Sequence, residues 1–196
     1  MLEAARDVIR AQGYAATTVD DLCQAASVTK GAFFHHFKTK EALGVAVADY
    51  WTETTTEFFA NASYHDQADP LKRVLAYVDF RKSMIDGDLA EWTCLAGTMT
   101  QEVYQSNPAI RDACKVSILG HAETLEVDIE SAMKVHCIEA DWSATSLARH
   151  TQAVLQGAFI LAKATGNKDM ACENVDHLKR YIELLFRLPD QKEHTA

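Results

Sequence analysis

The chain has 196 residues, 48% of them apolar, which is enough for a real buried core. Its formal charge of −9 argues against a protein that coats nucleic acid through bulk positive charge, so any such contact must be local. With 3 prolines, 8 glycines, long helix-favouring stretches and no alternating strand pattern, the composition points to an all-α chain.

Residues 1–50 hold five Lys/Arg against six Asp/Glu, a net −1, while the remainder carries −8, so the acid lies mainly in the second part. The five cysteines, Cys23, Cys94, Cys114, Cys137 and Cys172, are odd in number and form no C-x-x-C pair. That speaks against a disulfide framework or zinc ribbon and for reduced thiols in a cytoplasmic protein. The longest apolar stretch, "AVLQGAFILA", is too short to span a bilayer, so no membrane partner is expected.

Leu2, Ala5, Val8 and Ile9 recur at helical spacing up to Gly13, which can take the left-handed conformation that ends a first helix. Thr17 or Thr18 caps "VDDLCQAA", a second short helix ending near Ser27, and Thr29 caps a third. Thr39 with Glu41 and Ala42 opens a fourth that can run past Trp51 and Phe58 to about Ala62. Asp69-Pro70 and Asn107-Pro108 mark two further starts, and Gly87 and Gly166 mark stops. A helix from about Trp142 and a last one from about Cys172 to Leu188, before Pro189, bring the expected total to about nine.

The stretch "TKGAFFHHFKTKEAL" is the concentrated basic patch: Lys30, Lys38 and Lys40 with His35 and His36, and no carboxylate between Lys30 and Lys40. On a helical wheel, Phe33 and Phe37 share a narrow apolar edge that can pack on Leu22 and Ala26. Gly31, Ala32, Phe34 and His35 fall on the other side. Such a helix suits insertion into a DNA major groove, with lysines at both flanks for phosphates, although a short core helix with a solvated face has the same wheel.

Residues 8–43, "VIRAQGYAATTVDDLCQAASVTKGAFFHHFKTKEAL", closely resemble the DNA-binding domain of the TetR family of bacterial transcriptional regulators. The family signature G-x-x-Y-x-H-F-x-x-K-x-x-L falls on Gly31, Phe34, His36, Phe37, Lys40 and Leu43. The resemblance implies that Thr18, His36 and Lys40 grip phosphates and that Thr29, Lys30, Ala32 and His35 approach bases or nearby backbone, with Lys30 suited to a guanine. Phe34 replaces the family's tyrosine, so a hydroxyl contact to phosphate is lost while stacking on a sugar remains open. The chain starts at Met1 within the first helix, so either a basic arm lies upstream or its minor-groove contacts are missing.

The resemblance further implies a helix-turn-helix domain over residues 1–45, and an effector-binding and dimerisation domain over 46–196. The partners it implies are a palindromic double-stranded operator, a small-molecule effector and a second copy of the chain, with no cofactor. "TCLAGTMTQEV" looks like a glycine-cysteine-leucine segment of one branch of the family, with Thr93 in place of the first glycine. Trp51, Phe58, Tyr77, Phe80, Met84, Trp92, Met99 and Phe159 are candidates to line a pocket for a small apolar compound, though plain core is the commoner role for any single one of them. Cys94, near a helix start, is a candidate site for an electrophile or oxidant.

Leu155, Leu178, Ile182 and Leu185 represent a surplus of apolar positions on the last two helices and are candidates for a two-fold four-helix interface. That interface would set the two reading helices one DNA turn apart, on the order of 34 Å. The spacing of His121, Cys114, His136 and Cys137 is too irregular for a metal site. A small helical enzyme is the alternative from another class, but no catalytic constellation, glycine-rich loop or H-E-x-x-H can be assigned. A helical interaction protein with a vestigial reading helix is a third, resting on Phe34 and the acidic total.

Overall fold

The structure, a computed structural model, describes residues 1–186. Among them it contains ten α-helices, one 3-10 turn and no strand. The first four helices are α1 (Leu2–Gln12), α2 (Val19–Ala25), α3 (Lys30–His36) and α4 (Lys40–Ala60). Each of α2, α3 and α4 starts where a threonine hydroxyl accepts an amide hydrogen bond: Thr18 from Asp21, Thr29 from Ala32 and Thr39 from Ala42, at 3.0–3.1 Å. At α2 the cap is reciprocal, because the Asp21 carboxylate accepts the Thr18 N–H at 2.8 Å. Those bonds hold the Asp21 carboxyl below its ordinary pKa.

The turn between α2 and α3 has a feature that composition hides. Ser27 takes a left-handed φ of 52°, normally glycine's place, while Val28 N–H donates to Cys23 O at 2.9 Å and Ser27 N–H to Gln24 O at 3.1 Å. Two orphan carbonyls of α2 are satisfied this way, and the chain turns sharply into α3.

A 3-10 turn (Ser63–Asp66) precedes α5 (Pro70–Ser83), which is capped by the Asp69 side chain. Gly87, read from sequence as the end of this helix, lies beyond it at φ 73°, because Asp88 and Glu91 form a capping box that opens the short helix α6 (Leu89–Trp92). That helix has no counterpart in the elements expected from sequence. It is followed by α7 (Leu95–Val103), α8 (Pro108–Val135), α9 (Ala144–Thr165) and α10 (Lys168–Leu185). The last begins before Cys172 because the Asn167 side chain accepts the Asp169 N–H at 2.9 Å and opens the helix there. Its expected extension to Leu188 lies outside the described residues.

The described residues pack into two compact units, one of residues 1–62 and 86–121, the other of residues 63–85 and 122–186. In the first, Ile9, Leu22, Phe33, Leu43, Val47, Leu95, Met99 and Ile110 form one buried cluster from α1 to α4, α7 and the start of α8. Gly44 belongs to this packing, since a Cβ there would come within 2.8 Å of both Ile110 and Tyr14. In the second, α10 packs on α9 and α5 through Val74, Tyr77, Leu155, Val175, Leu178 and Ile182, all buried. Lys82–Asp176 and Lys179–Asp79, each 2.7 Å, link α5 to α10 at the solvent edge, where such pairs orient more than they stabilise.

Candidate functional site

α3 presents its two sides differently. Phe33 is fully buried and meets Phe37 with ring centroids 6.0 Å apart, so this edge belongs to the core. Gly31, Phe34, His35 and His36 are exposed and Ala32 partly so; Phe34, 46% exposed, stands edge-on to Phe33 at 5.1 Å. An exposed phenylalanine between a glycine and two histidines is a surface that water does not favour.

Gly31 is the telling residue. Its φ is not in the left-handed range, and a Cβ built on it would meet nothing closer than Thr29 Oγ1 at 3.7 Å. Nothing within the chain therefore requires a glycine, which costs a helix about 0.5–1 kcal/mol relative to alanine. The open space leaves room for the close approach of another molecule.

The lysines flanking α3 are held differently. Lys30 Nζ pairs with Asp20 Oδ1 at 2.8 Å with both side chains well exposed, so the pair is screened and readily exchanged for another anion. Lys40 donates to Tyr14 O at 2.7 Å and lies 4.3 Å from the centre of the Tyr14 ring. Burial lowers its pKa, against the attraction of Glu102 and Asp21. Lys40 thus braces the turn between α1 and α2 as well as marking the start of α4. Thr18 is exposed but already bonded to Asp21. Glu102, which the sequence does not single out, accepts the Ala15 N–H at 2.9 Å in the same turn.

The candidate effector residues divide between the two units. Trp51, Phe58, Trp92, Cys94 and Met99 belong to the first; Tyr77, Phe80, Met84 and Phe159 belong to the second. In the second unit the Tyr77 hydroxyl accepts from Gln152 Nε2 and Arg81 Nη1, both at 3.3 Å, and the Arg81 guanidinium lies 5.8 Å from the Phe159 ring. Tyr64 stacks edge-on to Tyr77 and tilts toward Phe80, and burial pushes its phenol up to about 12. This is a buried polar and aromatic cluster; Met84 caps the end of α5 nearby in sequence.

In the first unit, Met99 is fully buried in the core and Trp92 is buried, while Phe58 is 50% exposed beside Phe59. The Arg10 guanidinium covers the Trp51 ring at 4.9 Å; its Nε is buried without a hydrogen-bond partner, and burial lowers its pKa. Cys94 is the N-cap of α7, partly exposed, with its sulfur accepting the Gly97 N–H at 3.3 Å.

Of the four leucine and isoleucine positions considered for a two-fold interface, Leu155, Leu178 and Ile182 are at most 2% exposed and Leu185 is half-buried within the single chain. They hold α9 to α10. The apolar surface left on these helices belongs to their neighbours: Ile160, Leu161, Tyr181 and Leu184, each more than 40% exposed.

Residues 1–47 match the family model of the bacterial regulatory proteins of the tetR family, and residues 70–178 match the tetracyclin repressor-like C-terminal domain. The chain is similar to the HTH-type transcriptional repressor DhaR of Mycobacterium sp. (strain GP1), 24% identical over 86% of this chain and 83% of that one. It also resembles the HTH-type transcriptional repressor NemR of Escherichia coli K12, 23% identical over 87% and 86% of the two chains. The reduced form of E. coli NemR superposes with a TM-score of 0.79 at 21% identity, covering 91% of this chain and 93% of that one. A CifR cysteine mutant complexed with a 26-base-pair operator superposes with a TM-score of 0.76 at 17% identity, covering 91% and 93%. The chain belongs to the TetR family and is a ligand-responsive transcriptional regulator. No helix among the described residues is long and apolar enough to cross a membrane.

Proposed function

We propose that the protein is a repressor that binds a palindromic operator as a homodimer, reads it with α3, and is released by a small molecule. The single observation that carries the reading is Gly31, an exposed helical glycine that the chain's own packing does not need. In this reading residues 1–45 form the reading domain. Phe34 and His35 face the groove, Lys30 contacts a base edge, and Thr18, His36 and Lys40 serve the phosphates. The rest of the chain, residues 46–196, serves effector and partner.

The test begins with a duplex selected from a random pool by the full-length protein. Lys30→Ala is expected to relax base preference at one position of each half-site by about tenfold while retaining affinity for random DNA. Lys40→Ala is expected to weaken selected and random duplexes alike. Equal losses for both variants on both duplexes would remove these roles.

For the effector, the cluster of Tyr77, Phe80, Arg81, Gln152 and Phe159 supports a mostly apolar compound carrying a hydrogen-bonding group. A second reading is favoured by Cys94, a partly exposed thiol at a helix start. In that reading an electrophile adds to the sulfur. N-ethylmaleimide is then expected to release wild type from its duplex by forming a thioether while the Cys94 proton passes to the ring carbon, and to leave Cys94→Ser bound. Equal release of both proteins would leave Cys94 a structural cap.

A further inference from the structure

The turn between α1 and α2, residues 13–16, is clamped from two elements distant in sequence. From α4, Lys40 Nζ donates to Tyr14 O at 2.7 Å and approaches Ala15 O at 3.5 Å. From the end of α7, Glu102 accepts the Ala15 N–H at 2.9 Å, a contact spanning 87 positions of sequence. Gly13 makes room for it: with φ at 88°, a Cβ there would collide with Glu102 Oε1. The turn continues through Thr17, buried with its hydroxyl donating to Gly13 O at 2.6 Å, into Thr18, the cap of α2.

The two clamps act on each other. Lys40 loses hydration in this position, and Glu102 and Asp21 are the carboxylates that favour its charged form. A backbone amide bonded to a carboxylate is a charge-assisted contact, stronger than a neutral pair. Beyond α7 at its other end lies Cys94, so a helix of nine residues, roughly 13 Å long, joins Cys94 to the turn that leads into the reading helices.

We propose that Glu102 is a positioning residue for operator binding: from α7 it latches the α1–α2 turn, fixing Thr18 and Lys40 for the phosphates, and displacement of α7 unlatches them. The proposal rests on the reading that α3 and its flanks bind DNA. Its physical content is pre-organisation, since a turn already ordered in the free protein need not be ordered when DNA binds.

The test compares full-length wild type, Glu102→Ala and Glu102→Gln on the duplex selected by wild type. Amide hydrogen exchange at Ala15 and the thermal midpoint of each protein are followed alongside. Glu102→Ala is expected to speed exchange at Ala15 and to raise the operator Kd about tenfold with the thermal midpoint essentially unchanged. Glu102→Gln keeps an oxygen for the Ala15 N–H and is expected to stay within about threefold of wild type. The latch is overturned if Glu102→Ala binds like wild type, if Ala15 exchange is unaltered, or if the loss of binding comes with a matching loss of thermal stability. If wild type itself retains no duplex, the DNA-binding reading falls and takes the latch with it; if wild type binds and Glu102→Ala binds equally, the latch alone falls.

Discussion

Leu184→Asp is expected to leave each protomer folded, to convert the dimer into monomers, and to abolish retention of the operator. Leu184 is 56% exposed in the single chain, so a carboxylate there remains hydrated and the protomer tolerates it. It does not stand alone. On α9, Ala153, Gly157, Ile160, Leu161 and Ala164 recur at helical spacing and are exposed or partly so; on α10, Tyr181 and Leu184 do the same. The His150 and Tyr181 rings, 5.1 Å apart, join the two stripes into one face. A Cβ on Gly157 would meet nothing within 4 Å, so a partner helix can approach closely there.

A face of this kind, laid against its own copy, would form an isologous four-helix interface. Burying an unpaired aspartate at it costs several times the thermal energy, and the dimer dissociation constant should rise by at least about a hundredfold. Without the dimer, each half-site is bound alone and the avidity of the pair, on the order of 10²–10⁴, is lost. Sedimentation velocity at micromolar concentration reads the first effect and operator titration the second. A Leu184→Asp protein that still sediments as a dimer places the interface elsewhere.

The second large effect is at a leucine of α9. Leu155 is 1% exposed and packs within its own unit, so Leu155→Asp is expected to destabilise the protomer rather than separate the dimer. Loss of the buried side chain alone costs about 2–5 kcal/mol, and the buried carboxylate adds to that. Against a total stability of about 5–15 kcal/mol, the thermal midpoint should fall by roughly 10–20 °C. Circular dichroism on heating checks this; a folded, monomeric Leu155→Asp would mean that Leu155 faces a partner after all.

These two residues also show what a sequence can and cannot disclose. Apolar spacing reveals that α9 and α10 carry more hydrophobic positions than one face needs. It does not reveal which face the chain's own helices cover, because that follows from how α5, α9 and α10 pack. The helix α3 was legible for the opposite reason: Thr29, Phe33 and Phe37 act locally, through a cap and a wheel position. Glu102 was not legible, since its partner is a backbone amide 87 positions away, and a backbone amide has no sequence signature. The candidate pocket residues share a chemistry, and their spacing in sequence does not disclose that five belong to one compact unit and four to the other. Ser27 in a left-handed turn is a further case, as the bonds from Val28 and Ser27 that hold it there involve only main chain.

The most direct measurement of whether α3 reads DNA is an operator titration of Gly31→Ala, with thermal melting of the same protein beside it. Alanine fits the open space at this position and favours the helix, so the thermal midpoint should not fall. The added methyl would stand where the sugar-phosphate backbone or a base edge must approach, so the operator Kd should rise by about tenfold or more. A Gly31→Ala protein that binds the selected duplex as tightly as wild type would contradict the account, because the glycine would then answer to nothing inside the chain and nothing outside it.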